Sequence, residues 1–479
     1  MTDTPRRLLV GPFNRVEGDL EIRLEVEDGR VRAAFANSPL FRGFERMLLG
    51  KDPRDAMTIT PRICGICSIS QSAAAAGALA ALTGASPAPQ GALAAAILHG
   101  VENLADHVTH FNLFFMPDFA RPAYAGRDWH ETAVDRFTAA QGSAVREAVE
   151  ARAKLFHIVG LLGGKWPHTL AFQPAGVTRA PTERDRQRIR MSLAGFRRYL
   201  ERVVFGAPVE AFAELATRDA LMAWTAGDAG LFLRIAHDLE LGKLGRGPGR
   251  YLSYGAYPLA EGRAMKPGIW ADGQHRPLDT AAITEDLTHA WMLGKSAHPA
   301  RGVTDPDVEM AEPAYSWCKA PRLGGRTMEV GALARAVVDG HPLALELGAS
   351  GGGVLARIAG RLLEIARTQI LLERWADALR PGEPFMADTP PIRDGAGEGL
   401  VEAARGALGH WIRVEGGRIA GYQIVAPTTW NFSPRDANGT PGPLEAALEG
   451  VKVAPGEDTP IAVQHVVRSF DPCMVCTVH

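Results

Sequence analysis

Two Cys-x-x-Cys pairs, Cys64/Cys67 and Cys473/Cys476, stand near opposite ends of a 479-residue chain, and no other feature constrains its fold as much. A thiolate is a soft metal ligand, and a Cys-x-x-Cys turn can aim two sulfurs at one ion. If the pairs share a site, the N- and C-terminal segments must meet across everything between them. Structural zinc and a thioredoxin-like redox pair are the simpler explanations. Zinc knuckles usually draw both pairs from nearby hairpins, however, and no βαβ pattern follows the first pair. The fifth cysteine, Cys318, is left over and reads as a buried structural thiol. An odd count in a chain without an evident leader argues against a disulfide framework.

Between the pairs, apolar residues recur with helical spacing over Gln71–Leu82, Gln90–Phe114, Glu131–Val159 and Thr182–Val204, and again over Val354–Trp375. Residues 8–35 alternate as strands do (Leu20, Ile22, Leu24, Val26), and further strands are expected at Tyr251–Tyr257, His410–Val414 and Arg418–Val425. There is no repeat, low-complexity linker or clean boundary. The expectation is one α+β unit over residues 1–479, mainly α, with a long central helix bundle and small peripheral sheets.

Charged residues make up 22% of the chain, the formal charge is -2 and no run of Lys or Arg occurs, so nucleic acid and anionic membrane are poor partners. No apolar stretch is long enough to cross a bilayer, and Met1–Arg7 lacks the hydrophobic core of a secretory signal. A cytoplasmic protein without membrane insertion is expected.

Several short motifs surround the cysteines: Arg15-Val16-Glu17-Gly18, Arg42-Gly43-Phe44-Glu45, Asp52-Pro53-Arg54-Asp55-Ala56 and Pro61-Arg62-Ile63-Cys64-Gly65-Ile66-Cys67. Then come Asp106-His107, His110-Phe111, Lys319-Ala320-Pro321-Arg322, the Arg405–Trp411 segment, Pro427-Thr428-Thr429-Trp430-Asn431 and the run from Asp471 to His479. In this order the chain resembles the large subunit of nickel–iron hydrogenases over nearly its whole length.

The resemblance implies that fold and a nickel–iron cluster that cleaves H2 heterolytically into two protons and two electrons. Cys64 and Cys473 would be terminal nickel ligands, while Cys67 and Cys476 would bridge to an iron bearing two cyanides and one carbon monoxide. Glu17 would relay protons, and Arg405 would lie over the open side of the cluster as base or electrostatic stabiliser. Thr428 would donate to a cyanide, and Asp106 and Asp471 would hold Arg405. Glu45, the main-chain carbonyl of Ile424 and the His479 imidazole would bind magnesium or iron. Glu17 could otherwise be a partly buried, hydrogen-bonded structural carboxylate, Asp106 and Asp471 capping or bridging charges, and His479 a solvent-exposed end. An iron–sulfur small subunit is the implied partner, since no iron–sulfur motif remains here once the four paired cysteines are assigned.

Three positions depart from the usual pattern. Gln71 stands where the family commonly has His, Ile66 where it has Val, and Phe114 where a gas-channel Leu is usual. Ile66 and Phe114 would narrow the path for oxygen, and Gln71 replaces a titratable group with a neutral one. Ala404, where a Pro is common, is a further departure beyond these three, with no evident consequence. The chain also ends at His479, where family members are commonly made with a cleavable tail. These features resemble the regulatory, hydrogen-sensing branch: a slow, oxygen-tolerant cytoplasmic sensor that signals to a histidine kinase and admits a dimer of heterodimers. The alternative within the family is an energy-conserving uptake enzyme. A remote alternative is a hydrolase built on Gly348-Ala349-Ser350-Gly351-Gly352, a Gly-x-Ser-x-Gly motif, with His410 or His465. That reading leaves both cysteine pairs unexplained.

Overall fold

A computed structural model describes residues 6–479; the expectation of a missing leader at Met1–Arg7 falls mostly outside them. The alternating N-terminal stretch forms a three-stranded antiparallel sheet of β1 (Arg6–Val10), β2 (Glu21–Glu27) and β3 (Arg30–Asn37). Its period of two turns Ile22, Leu24 and Val26 inward with Leu8 and Val10.

Five long helices make the body: α1 (Ser68–Thr83), α2 (Pro89–Thr109), α3 (Ser143–Leu155), α4 (Glu183–Tyr199) and α5 (Val354–Ala378). Pro89 opens α2, where its missing N–H is not needed, and Thr182 and Asp185 close a capping box on α4. The helices α2 and α4 each run on into a π-helical turn, His110–Phe115 and Leu200–Phe205. The core joins Leu98, Val101 and Leu104 of α2 to Ile358, Leu362 and Ile365 of α5, each side chain contributing about 1.5–3 kcal/mol by burial.

Two expected elements differ. The helix foreseen over Glu131–Val159 is three helices, His130–Phe137, α3 and His157–Gly163. Its first break comes where the Gln141 and Gly142 amides both turn back to the Thr138 carbonyl, and its second at Phe156. Apolar periodicity continues across that turn because both flanking helices face one core. The strand foreseen over Tyr251–Tyr257 stops at Ser253, and Gly255 and Tyr257 then take positive φ.

A second sheet, β4 (Gly395–Ala403), β5 (Gly406–Glu415) and β6 (Arg418–Val425), is antiparallel in that order. The glycine-rich β4 shows no alternation and was not foreseen. Its glycines let α1 lie directly on the strand: a Cβ on Gly399 would sit 1.9 Å from the Ala74 carbonyl oxygen, and one on Gly397 2.2 Å from that of Ala78. The alanine-rich face of α1 (Ala74, Ala75, Ala78) answers them. This contact matters because Cys67 immediately precedes α1 and Arg405 lies in the turn between β4 and β5.

The termini meet as the cysteine spacing requires. The Met474 amide donates to the Glu17 carbonyl at 2.7 Å, and Glu17 and Cys473 form a parallel bridge. Among the described residues, no helix is long and apolar enough to cross a membrane.

Candidate metal centre

The segment after the turn Thr60–Arg62 carries Cys64 and Cys67, and the C-terminal turn leading into Met474–Thr477 carries Cys473 and Cys476. Their four sulfurs lie within 4.8 Å of one another, and all are buried. The Cys473–Cys476 separation is 3.0 Å, Cys67–Cys476 is 3.1 Å and Cys64–Cys473 is 3.5 Å. A disulfide would need about 2.05 Å, so these are four thiols aimed at one point. Hydrogen bonds from Cys473, Cys476 and Cys67 hold the Cys64 thiol well below its ordinary range. Cys67 is pushed well above it by the hydrogen bonds to its neighbours and by burial, and burial leads the upward shifts of Cys473 and Cys476. A bound cation would favour the thiolate form of all four. A thiolate metal cluster fits this donor set.

Arg42, to which the sequence assigned no role, ties the two loops together. Its guanidinium donates to the carbonyls of Ile63 and Val475, the residues just before Cys64 and Cys476. Its place in the Arg-Gly-Phe-Glu motif was the one signal available.

Arg405 is buried between two carboxylates, donating to Asp106 Oδ2 at 2.5 Å and Asp471 Oδ1 at 3.0 Å. Burial works against its charge, but Asp106 and Asp471 outweigh it and hold the pKa well above the ordinary arginine value. Arg405 is thus a fixed cation and donor, which favours the electrostatic role over that of a base. Its partners differ. Burial raises Asp106 to about 7, aided by Asp471 and Cys64, whereas Arg405, His110 and Arg361 overcome burial to lower Asp471. Asp471 is thus the more acidic of the two. Arg335 steadies the turn from below, donating to the carbonyls of Ala403 and Ala404, so the departure at Ala404 falls on a carbonyl held at 2.8 Å.

Glu17 sits beside Cys64, and its half-buried carboxyl is raised by desolvation and then by that thiolate. Thr428 Oγ1 accepts the Cys473 amide at 3.1 Å, which leaves its hydroxyl hydrogen free to donate elsewhere.

Near the C-terminus, Glu45, Ile424 and His479 also come together. His479 Nε2 is 2.8 Å from the Ile424 carbonyl and 3.3 Å from Glu45 Oε1, while Nδ1 meets the Cys476 carbonyl at 2.8 Å. With Nδ1 donating, the Nε2 lone pair faces two oxygens, three donor atoms converging as the ligands of one cation would. Lys319 stands behind, 3.1 Å from Glu285 and 2.6 Å from Gln423.

Gln71 is fully buried, its Oε1 accepting from His410 Nε2 at 2.7 Å, and His410 Nδ1 meets the Tyr422 hydroxyl. Ile66 is half-buried against the cysteine cluster, and Phe114 is half-buried in the π-helical turn after α2. The hydrolase set is not assembled. Ser350 is exposed before α5, His410 is committed to Gln71, and His465 is stacked on Phe119 and bonded to Asp118. Cys318 is buried, its thiol pushed up by desolvation.

The profile of the nickel-dependent hydrogenase family matches residues 42–133 and 122–479. The periplasmic [NiFeSe] hydrogenase large subunit of Desulfomicrobium baculatum is 30% identical, covering 99% of this chain and 95% of its own. The quinone-reactive Ni/Fe-hydrogenase large chain of Wolinella succinogenes is 28% identical over 99% of this chain and 96% of its own. Among solved structures, the reduced Ni-Fe-Se hydrogenase of D. vulgaris Hildenborough superposes with a TM-score of 0.86 at 27% identity, covering 99% of this chain and all of that one.

Proposed function

The chain belongs to the nickel-dependent hydrogenases, and from that premise we propose how it handles H2. It is the large subunit of a nickel–iron hydrogenase, an oxidoreductase that cleaves H2 and works with a small subunit. The finer reading is hydrogen uptake: electrons leave through iron–sulfur clusters of the small subunit toward a respiratory acceptor. The quinone-reactive and periplasmic names of its relatives support this.

The convergence of four buried thiols on one point carries the assignment. When bound there, a nickel–iron cluster with two cyanides and one carbon monoxide supplies soft, redox-active metals at which H2 is polarised and split. Cys64 and Cys473 would hold nickel alone, and Cys67 and Cys476 would be shared with iron. Arg405 presents a fixed positive charge and donors to the cluster's open side, oriented by Asp106 and Asp471. Thr428 offers its free hydroxyl hydrogen to a cyanide. Glu17, its carboxyl raised by burial and then by Cys64, stands beside that sulfur as the group to exchange a proton with it. Glu45, the Ile424 carbonyl and His479 would hold magnesium, anchoring the end of the chain that carries Cys476.

One observation favours a second reading, a hydrogen sensor in the cytoplasm beside a histidine kinase. Gln71, four residues after Cys67, is a neutral amide locked by His410. Such a group cannot take up a proton in step with electron transfer, and with Ile66 and Phe114 it suits slow turnover that survives air. Hydrogen-dependent dye reduction by the purified heterodimer, with and without air, separates the two. Fast activity abolished by oxygen supports uptake, and slow activity that persists in air supports the sensor. Absence of activity in nickel-loaded protein would refute both.

A further inference from the structure

Glu102, Ser70 and His99 are buried, polar and unused by the chemistry above. Residues 99, 102 and 106 lie three and four apart on α2, so their side chains share one face. Asp106, at the inner end of this line, holds Arg405 at 2.5 Å. One turn back, Glu102 accepts from the Ile69 and Ser70 amides at 2.8 and 2.9 Å, from the Ser70 hydroxyl at 3.0 Å and from Trp166 Nε1 at 3.3 Å. The Ser70 hydroxyl is also 3.1 Å from His99 Nε2. His99 in turn lines a cleft of about 270 Å³ between α1, α2 and β4, where the facing side chains of both helices are mostly alanine. Four donors around one carboxylate would ordinarily keep it ionised, but burial raises Glu102 to about 8, so a proton can reside there at neutral pH. Burial, then Arg335, lowers His99 to about 3, so the ring rests neutral and able to accept.

The charged groups facing this line come from several elements. Arg152 of α3 lies within electrostatic reach of both Asp106 and Glu102, and its buried Nε has no partner among the described residues. Arg335 and Glu364 act on His99 from the side of α5, and Arg263 from the cleft.

We propose that Glu102, Ser70 and His99 form a proton relay from the interior beside Asp106 to the cleft, a second exit for protons of H2 cleavage besides Glu17. The exchange balances without any redox change. The Glu102 carboxyl gives its proton to Ser70 Oγ, and Ser70 passes its own hydroxyl proton to His99 Nε2. His99 then releases a proton from Nδ1 into the cleft. The Glu102 carboxylate left behind takes the next proton from the Asp106 side, and the imidazole resets by exchange with solvent.

The test uses the nickel-loaded heterodimer and D2–H2O exchange, followed by mass spectrometry across the pH range. Ser70→Ala keeps the backbone bonds to Glu102 and removes only the relaying hydroxyl. His99→Ala leaves a space beside the cleft that imidazole can fill. Each variant is expected to lower exchange about tenfold, less than the loss of a sole acid–base group, because Glu17 still serves. Imidazole should restore His99→Ala in a saturable way and leave Ser70→Ala slow. Ser70→Ala should also lose the inflection near the pKa of Glu102, whereas a merely structural defect would lower the rate equally at every pH. Unchanged exchange in both variants overturns the relay, as does a loss in His99→Ala that imidazole fails to restore while nickel content stays at the parent level. If His99→Ala does not fold, the pH profile of Ser70→Ala decides alone. Absence of exchange in the unaltered, nickel-loaded protein would instead sink the hydrogenase reading on which the relay rests.

Discussion

Replacing Gly399 with alanine should damage the metal centre through a contact that no sulfur makes. A Cβ there would lie 1.9 Å from the Ala74 carbonyl oxygen and 2.5 Å from the Ala78 nitrogen, both backbone atoms of α1 that cannot swing aside. Real Cβ contacts essentially never fall below 3.0 Å, so the helix and strand must part by at least 3.0 − 1.9 = 1.1 Å. Overpacking of this kind costs about 1–3 kcal/mol. The functional cost is larger, because metal–ligand distances tolerate only about 0.2 Å. The helix that must move begins one residue after Cys67, while the strand leads into Arg405. Gly399→Ala is therefore expected to lower both the nickel content of the purified heterodimer and its H2-dependent dye reduction, and to shift urea unfolding to lower concentration. Gly160→Ala is the control, because its Cβ would meet nothing within 4 Å; there the change should be neutral or stabilising by about 0.4–1 kcal/mol. Parent-level nickel and activity in Gly399→Ala would refute the argument that the α1–β4 contact sets the Cys67 position.

Two further outcomes are expected. Asp118 is fully buried among Arg15, Arg121, Arg468 and His465; burial alone would raise it, but His465, Arg468 and Arg15 bring it well below the carboxylate range. Its contribution is thus complete above the unfolded value of about 3.9 and is lost as pH falls through the lower folded value. Asp118→Asn should cost about 3–5 kcal/mol in urea unfolding near neutrality, and an unchanged midpoint would contradict this. Glu45→Ala removes one donor of the C-terminal cation site, so the thermal midpoint should lose its dependence on added magnesium. Equal magnesium dependence in parent and variant would exclude Glu45 as a ligand.

Much of the site was readable because its residues sit in short, unusual strings. Cys64, Cys67, Cys473 and Cys476 pointed to a shared centre once their flanking motifs carried the family resemblance, and Glu17, Arg405 and His479 stood in motifs around them. Arg42 was visible as part of a motif but not as a clamp, since backbone carbonyls leave no trace in side-chain identity. Arg335 and Glu102 gave no signal: Glu102 is an isolated charge inside a helical pattern, which more often marks a solvated face, and Arg335 stands outside every pattern the sequence shows. Strand β4 was missed because its glycines serve a helix lying on it, and close approach erases the alternation by which strands are recognised.

The sequence by itself determined the elements with strong periodicity, the identity of the sulfur ligands and the need for the chain ends to meet. These follow from side-chain chemistry and local spacing, which a linear string contains. Only the tertiary structure decided how acidic each group is. Asp106 and Asp471 are the same residue type on the same arginine, yet one is raised and the other lowered. The difference lies in Cys64 beside one, and His110 and Arg361 beside the other. Electrostatic energy depends on distance through space and on exclusion of water, and both are fixed only when remote segments pack together.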